Sequence, residues 1–170
     1  MNILGLVAKT HDSGLALLSD GAIDWVLEEE RFDRRKKSQK FPKHALAALC
    51  EDHKLTLSDI DVITTPWDVS LLRRWALKLF LRRFPLSLGL LSPRAHRPQQ
   101  NQIMLLNQYL RRGLRESFGA DARLPPIVNV GHHNAHAATF FVSPLEEAIV
   151  LVMDGYGDDA STSAYIGRGN

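Results

Sequence analysis

Residues 2–28 read NILGLVAKTHDSGLALLSDGAIDWVLE. Two apolar runs, residues 2–8 and 14–18, flank Thr10, His11, Asp12 and Ser13, and Asp20-Gly21 leads into a third run over residues 22–28. An Asp-Gly pair suits a two-residue hairpin turn, because both central residues of that turn take positive φ. Short apolar runs joined in this way predict a three-stranded antiparallel meander.

Outward from the meander, residues 29–40 are densely charged, and Phe41-Pro42 opens a helix expected over 43–53. Residues 60–64 read as a short buried strand. Residues 71–91 have a helical pattern, apolar on one side and basic on the other, broken by Pro85 and Gly89. They are expected to form a peripheral helix pair packed on the domain, in preference to a membrane contact. A loop over 93–98, a long helix over 99–118 and a strand over 127–130 follow. A helix over 134–141 then begins in a histidine cluster, and strands over 149–153 and 161–166 close a final hairpin. This order predicts an α/β fold, a mixed sheet with helices on its faces. It also fits the ribonuclease-H-like lobe of actin-like and sugar-kinase ATPases.

The bulk composition narrows the function classes. The chain has 170 residues, a single-domain length able to bury a core. It is 45% hydrophobic and 24% charged, ordinary for a soluble globular protein. A net charge of +2 does not point to nucleic acid. The basic runs at 34–40, 73–83 and 94–97 read first as solvated faces, and as phosphate contacts only beside a strand carrying other site residues. The single cysteine, Cys50, excludes an intramolecular disulfide framework and reads as a core thiol in an apolar helical pattern. Neither a signal-peptide pattern nor an apolar run of the ~20 residues that span a bilayer is evident. A cytoplasmic protein with no nucleic-acid or membrane partner is expected.

Four constellations carry chemistry. His132-His133-Asn134-Ala135-His136 follows the 127–130 strand. Histidines at i and i+4 leave one helix face together, so His132 and His136 could grip one cation; the alternative is a helix start with one capping and others solvated histidines. Neutral imidazole suits iron, zinc, nickel or copper better than calcium or magnesium. In the second, Asp154 leaves the 149–153 strand where Gly155 and Gly157 permit a tight turn and allow phosphate oxygens to approach backbone N–H groups. Asp154 could complete a two-histidine, one-carboxylate metal set, whereas a plain Asp/Gly-rich hairpin would make Asp158 and Asp159 turn residues only. The third is His11 in the first hairpin loop, placed to exchange a proton with a bound hydroxyl. The fourth is the charged block 29–36, either a solvated edge or a phosphate contact through Arg31, Arg34 or Lys36.

These blocks together resemble a known family. His11-Asp12-Ser13 with Ala16-Leu17-Leu18 and Asp20-Gly21 resembles the opening of the nodulation-factor and cephem-type O-carbamoyltransferases. Glu28-Glu29-Glu30-Arg31-Phe32 with Arg34, Lys36 and Phe41-Pro42 resembles their next block. His132-His133-Asn134-Ala135-His136-Ala137 with Ser143-Pro144, and Val152-Met153-Asp154-Gly155-Tyr156-Gly157-Asp158, resemble the following two. Gly14 stands where the family pattern has a small alanine-like residue.

The resemblance implies an actin-like ATPase fold, similar to the tRNA threonylcarbamoyl-adenosine machinery. It implies an enzyme, a one-carbon group transferase (EC 2.1.3.-). Such enzymes convert carbamoyl phosphate and ATP into carbamoyl-adenylate, then pass the carbamoyl group to a hydroxyl of a small-molecule natural product. Carried over by position, His132, His136 and Asp154 are expected to bind Fe(II) or a similar divalent metal. His11 is the expected proton-handling residue, and Lys36 and Gly155 are expected near the nucleotide phosphates. Residues 1–170 then correspond to the amino-terminal lobe of the transferase domain. The second lobe and the adenylate-forming domain are expected elsewhere, in cis or in trans. The chain alone would be a partial enzyme, or else a metal- or nucleotide-binding remnant or split subunit. A sugar-kinase reading fits less well, since such kinases use carboxylates with magnesium and need no imidazole pair.

Overall fold

The computed structural model describes residues 1–91, 103–155 and 157–169. The expected 93–98 loop, the basic run at 94–97, the start of the expected 99–118 helix and Tyr156 lie at least partly outside these residues. The chain divides into two compact units. The first comprises Met1–Thr65 and Pro98–Val128, the second Pro66–Arg97 and Asn129–Asn170.

The first unit is built on the predicted meander: β1 (Asn2–Val7), β2 (Gly14–Ser19) and β3 (Ala22–Glu28). Asp20 and Gly21 take φ of 48° and 87°, the mirror-image turn that an Asp-Gly pair favours. β1 pairs antiparallel with β2 and parallel with β4 (Val62–Thr65). With β5 (Ile127–Asn129) the sheet has the order β3-β2-β1-β4-β5. A mixed five-stranded sheet flanked by helices is therefore present, as the element order predicts. Its core gathers Leu4 and Leu6 of β1, Leu15 and Leu17 of β2 and Ile63 of β4.

Two helices of this unit add to that core. After a single turn, α1 (Glu30–Asp33), α2 (Lys43–His53) buries Ala45, Leu46 and Leu49. This i, i+1, i+4 set forms one stripe. Because Pro42 at its N-cap has no side-chain acceptor, α2 borrows one from a distance. The buried Glu29 carboxylate accepts the backbone N–H groups of His44 (3.1 Å) and Ala45 (3.0 Å) and meets His44 Nδ1 at 2.6 Å. The next α-helix of this unit among the described residues, α4 (Leu106–Phe118), buries Leu106, Leu110 and Leu114. A Cβ at its Gly113 would lie 2.3 Å from the Phe41 ring, so glycine permits this approach. Tyr109 of the same helix accepts the Phe41 N–H at 2.7 Å.

In the second unit, α3 (Val69–Arg82) starts one residue after Asp68, whose carboxylate caps the N–H groups of Ser70 and Leu71. Expected as the first of a packed helix pair, α3 buries only Val69 and Leu72 and leaves Trp75, Leu77, Leu79 and Leu81 exposed. Its partner is a 3₁₀ turn, Leu86–Leu91, instead of a second α-helix. Pro85 has no N–H to continue the ladder, and α3 stops at Arg82 before it.

The histidine helix, α5 (His132–Ala137), begins two residues earlier than the sequence pattern predicts and continues as a 3₁₀ turn, Ala138–Val142. β6 (Glu147–Met153) and β7 (Thr162–Arg168) form the last hairpin, two residues longer at its open end than expected, where Arg168 and Glu147 pair at 2.9 Å. Gly167 lies flat under Phe140, where a Cβ would sit 2.6 Å from the ring. No helix among the described residues is long and apolar enough to cross a membrane.

Candidate metal centre

The second unit brings three predicted side chains to one point. His132 and His136 leave α5 one turn apart, and Asp154 follows the last residue of β6. His132 Nε2 lies 2.8 Å from Asp154 Oδ2 and 3.2 Å from His136 Nε2, and His136 Nε2 lies 3.4 Å from the same Oδ2. Ligand atoms held ~2.1 Å from one ion are ~3.0 Å apart at a right angle and ~3.4 Å apart at the tetrahedral angle. The 3.2 and 3.4 Å separations fall in that range, and the 2.8 Å His132–Asp154 contact would open by about 0.2 Å to reach it. Exposure falls from His136 (52%) to Asp154 (36%) to His132 (13%), which leaves one open side for a substrate or solvent ligand.

The environment of His132 decides which nitrogen faces the site. Its Nδ1 is 3.1 Å from the carbonyl oxygen of Pro66. A carbonyl only accepts, so Nδ1 carries the hydrogen and Nε2 of the neutral ring carries the lone pair. That lone pair points at a carboxylate oxygen and at a second imidazole. Either an extra proton or a cation must resolve the contact, and a cation satisfies all three groups at once. The Trp67 indole stacks on the same ring, with centroids 3.9 Å apart and 16° between planes. A carbonyl behind a ligating imidazole and a ring on its face are the outer partners that orient such ligands.

Asp154 is prepared in a similar way. Its Oδ1 accepts the Gly155 N–H at 2.6 Å, which turns Oδ2 toward the histidines. With the extra proton on Nε2, the His132 ring donates to Asp154 and, more than the Gly155 N–H, holds its carboxyl below the ordinary aspartate range, against the opposing effect of burial. Gly155 stands in open space with its N–H already engaged by Asp154. Gly157 has the stricter steric need, since a Cβ there would lie 2.6 Å from the Ala160 carbonyl oxygen and 2.9 Å from the His133 ring.

The middle of the histidine cluster serves the fold. His133 is buried and meets Ser163 Oγ at 2.6 Å, while Asn134 Oδ1 accepts from the Tyr165 hydroxyl at 2.9 Å. α5 therefore has one face on the hairpin, through positions 133 and 134, and one on the candidate site, through 132 and 136.

Sequence reasoning named Asp158 only as a turn residue of the plain-hairpin alternative and gave it no site role. Instead it is 5% exposed, and its carboxylate accepts the N–H of His132 at 2.6 Å and the N–H of Asp68 at 3.0 Å. Burial pushes its carboxyl up, against the lowering effect of those two bonds. Trp67 and Pro66 were also missed. Nothing local signals them, because their partner lies more than 60 positions along the chain.

The remaining predicted residues stand in the first unit. His11 sits in the β1–β2 loop, between Lys9 and Asp12 at φ of 68° and 62°. Its ring is 70% exposed, and Nδ1 lies 2.6 Å from Asp12 Oδ2. With Nδ1–H donated to Asp12, Nε2 is the basic atom. Lys36 is 87% exposed and pairs with Glu30 at 2.5 Å, and Arg31 approaches Glu28 at 3.7 Å.

The profile of the family described as carbamoyltransferase N-terminus matches residues 2–170. The uncharacterised protein sll1178 of Synechocystis sp. is 34% identical over 171 residues, covering 99% of this chain and 28% of its own length. Nodulation protein NolNO of Sinorhizobium fredii is 31% identical over 164 residues, covering 94% of this chain and 22% of its own length. The chain thus spans less than a third of the curated relatives it matches.

Proposed function

The chain belongs to the carbamoyltransferase family through its N-terminal region, and on that premise we propose that it contributes a divalent transition-metal centre to carbamoyl transfer. The donor is carbamoyl-adenylate, made from carbamoyl phosphate and ATP, and the acceptor is a hydroxyl of a small-molecule natural product. The observation that carries the reading is the convergence of His132, His136 and Asp154. Two imidazoles and one carboxylate with an open side suit Fe(II) or a similar ion. A bound ion would supply Lewis acidity to offset charge on the departing AMP.

The chain's own residues take the following roles in this proposal. His11, its ring oriented by Asp12, accepts the acceptor's hydroxyl proton at Nε2. The hydroxyl oxygen forms a bond to the carbamoyl carbon, and the bond from that carbon to the AMP phosphate oxygen breaks with its electron pair. A positioned base of this kind contributes typically ~10²–10⁴-fold. Lys36 and the Gly155 turn serve the nucleotide phosphates, which requires Lys36 to exchange Glu30 for a phosphate. The five-stranded unit is the amino-terminal lobe of an actin-like ATPase fold in this reading. A second lobe, in cis or in trans, completes the adenosine pocket.

A second reading, metal or nucleotide binding without turnover of its own, is favoured by Lys36 being already paired with Glu30 and the Gly155 N–H with Asp154. Calorimetry with a non-hydrolysable carbamoyl-adenylate analogue, and AMP release from carbamoyl-adenylate with a hydroxyl acceptor, separate the two. Partial-enzyme function predicts analogue binding that Lys36→Ala weakens, and AMP release that His11→Ala lowers at least about 100-fold. Metal binding with no analogue binding leaves only the second reading.

A further inference from the structure

We infer that Asp158 is a positioning residue for the metal face of α5, fixing His132 in backbone and ring together. The inference rests on the metal reading of His132, His136 and Asp154. A helix start leaves N–H groups without partners inside the helix, and Gly131, the N-cap of α5, has no side chain to meet them. The Asp158 Oδ2 atom does so at the His132 N–H, from 26 positions further along the chain. Its Oδ1 takes the Asp68 N–H, directly after the Pro66–Trp67 pair that holds the His132 ring by carbonyl and by stacking. One buried carboxylate therefore ties the backbone of a candidate ligand to the segment that orients its imidazole.

The geometry also separates Asp158 from the ligands themselves. Both of its oxygens are engaged by backbone donors, and the residue is 5% exposed. Asp154 and Asp158 leave the same turn, so that turn delivers one carboxylate beside the His132 ring and another beneath its backbone. A shift in the second alters the distance across the first. Loss of an outer partner of a metal ligand typically costs about 10–100-fold in affinity.

The test uses Co(II) as the probe, with the full chain purified metal-free. Asp158→Asn keeps one carbonyl acceptor and presents an NH₂ to the other backbone donor. It is expected to weaken Co(II) binding about 10–100-fold and to change the position or intensity of the ligand-field absorption. Phe140→Leu is the control, since it loosens the packing on Gly167 without touching the clamp. This control is expected to lower the melting temperature while keeping the wild-type affinity and spectrum. Should Asp158→Asn be too unstable to purify, Asp158→Glu carries the same test, because only the reach of the carboxylate changes. Wild-type affinity and spectrum in the Asp158 variant overturn the inference, and so does an equal loss in Phe140→Leu. Absence of Co(II) binding by the wild-type chain overturns the metal reading first, and the positioning role with it.

Discussion

Alanine at both His132 and His136 is expected to lower the affinity for Zn(II) or Co(II) by more than about 100-fold, beyond the usual cost of losing an outer-shell partner. Two of the three converging donors disappear, and Asp154 alone remains as an exposed carboxylate. The single variants separate binding from folding. His136 is half exposed and, among the described residues, its Nε2 meets the other members of the triad alone, so His136→Ala should leave the melting temperature of the metal-free chain nearly unchanged. His132→Ala also removes the contacts with Pro66 and Trp67, and part of its effect will be structural. Competition with a chromophoric chelator gives the affinities. A double variant that binds within about tenfold of wild type would remove these imidazoles from the site.

Glu29→Ala is expected to destabilise the first unit by about 2–4 kcal/mol. The side chain is almost fully buried and supplies the acceptor for two N–H groups in the first turn of α2, those of His44 and Ala45. A buried donor left without a partner costs about 1–3 kcal/mol, and two are left here in partly and fully buried positions. Against a typical total of about 5–15 kcal/mol, the loss is large. Glu29→Gln keeps one carbonyl oxygen for the same donors and should lose less. Urea unfolding followed by far-ultraviolet circular dichroism checks the magnitude, and hydrogen exchange shows whether α2 opens first. An unchanged midpoint in Glu29→Ala would mean that solvent replaces the carboxylate at no cost.

What was legible in the sequence is what short stretches encode. Asp20-Gly21 specified its turn, and the short apolar runs around it specified three strands, though not the register shift between Leu17 and Leu18 in the β2–β3 pairing. The i, i+4 spacing placed His132 and His136 on one helix face, and an aspartate after an apolar strand placed Asp154 at a strand end. Illegible were the contacts that join distant segments. Glu29 reads as one acid in a charged block, yet it is buried because α2 needs an acceptor that Pro42 cannot supply. Asp158 reads as a turn residue until the fold sets it under α5. The early start of α5 has the same origin, since its first N–H is capped across 26 positions, beyond any local pattern. The apolar residues of α3 fit a packed helix by periodicity, which says nothing of whether a partner covers them.

The metal reading requires His132, His136 and Asp154 to hold one transition-metal ion together. Anaerobic titration of the metal-free chain with Fe(II), followed by X-ray absorption at the iron edge, tests it most directly. Saturation near one equivalent is expected, with outer-shell scattering from two imidazoles that the His132→Ala, His136→Ala variant lacks. Binding that never saturates, or one equivalent whose spectrum is the same in that variant, would contradict it.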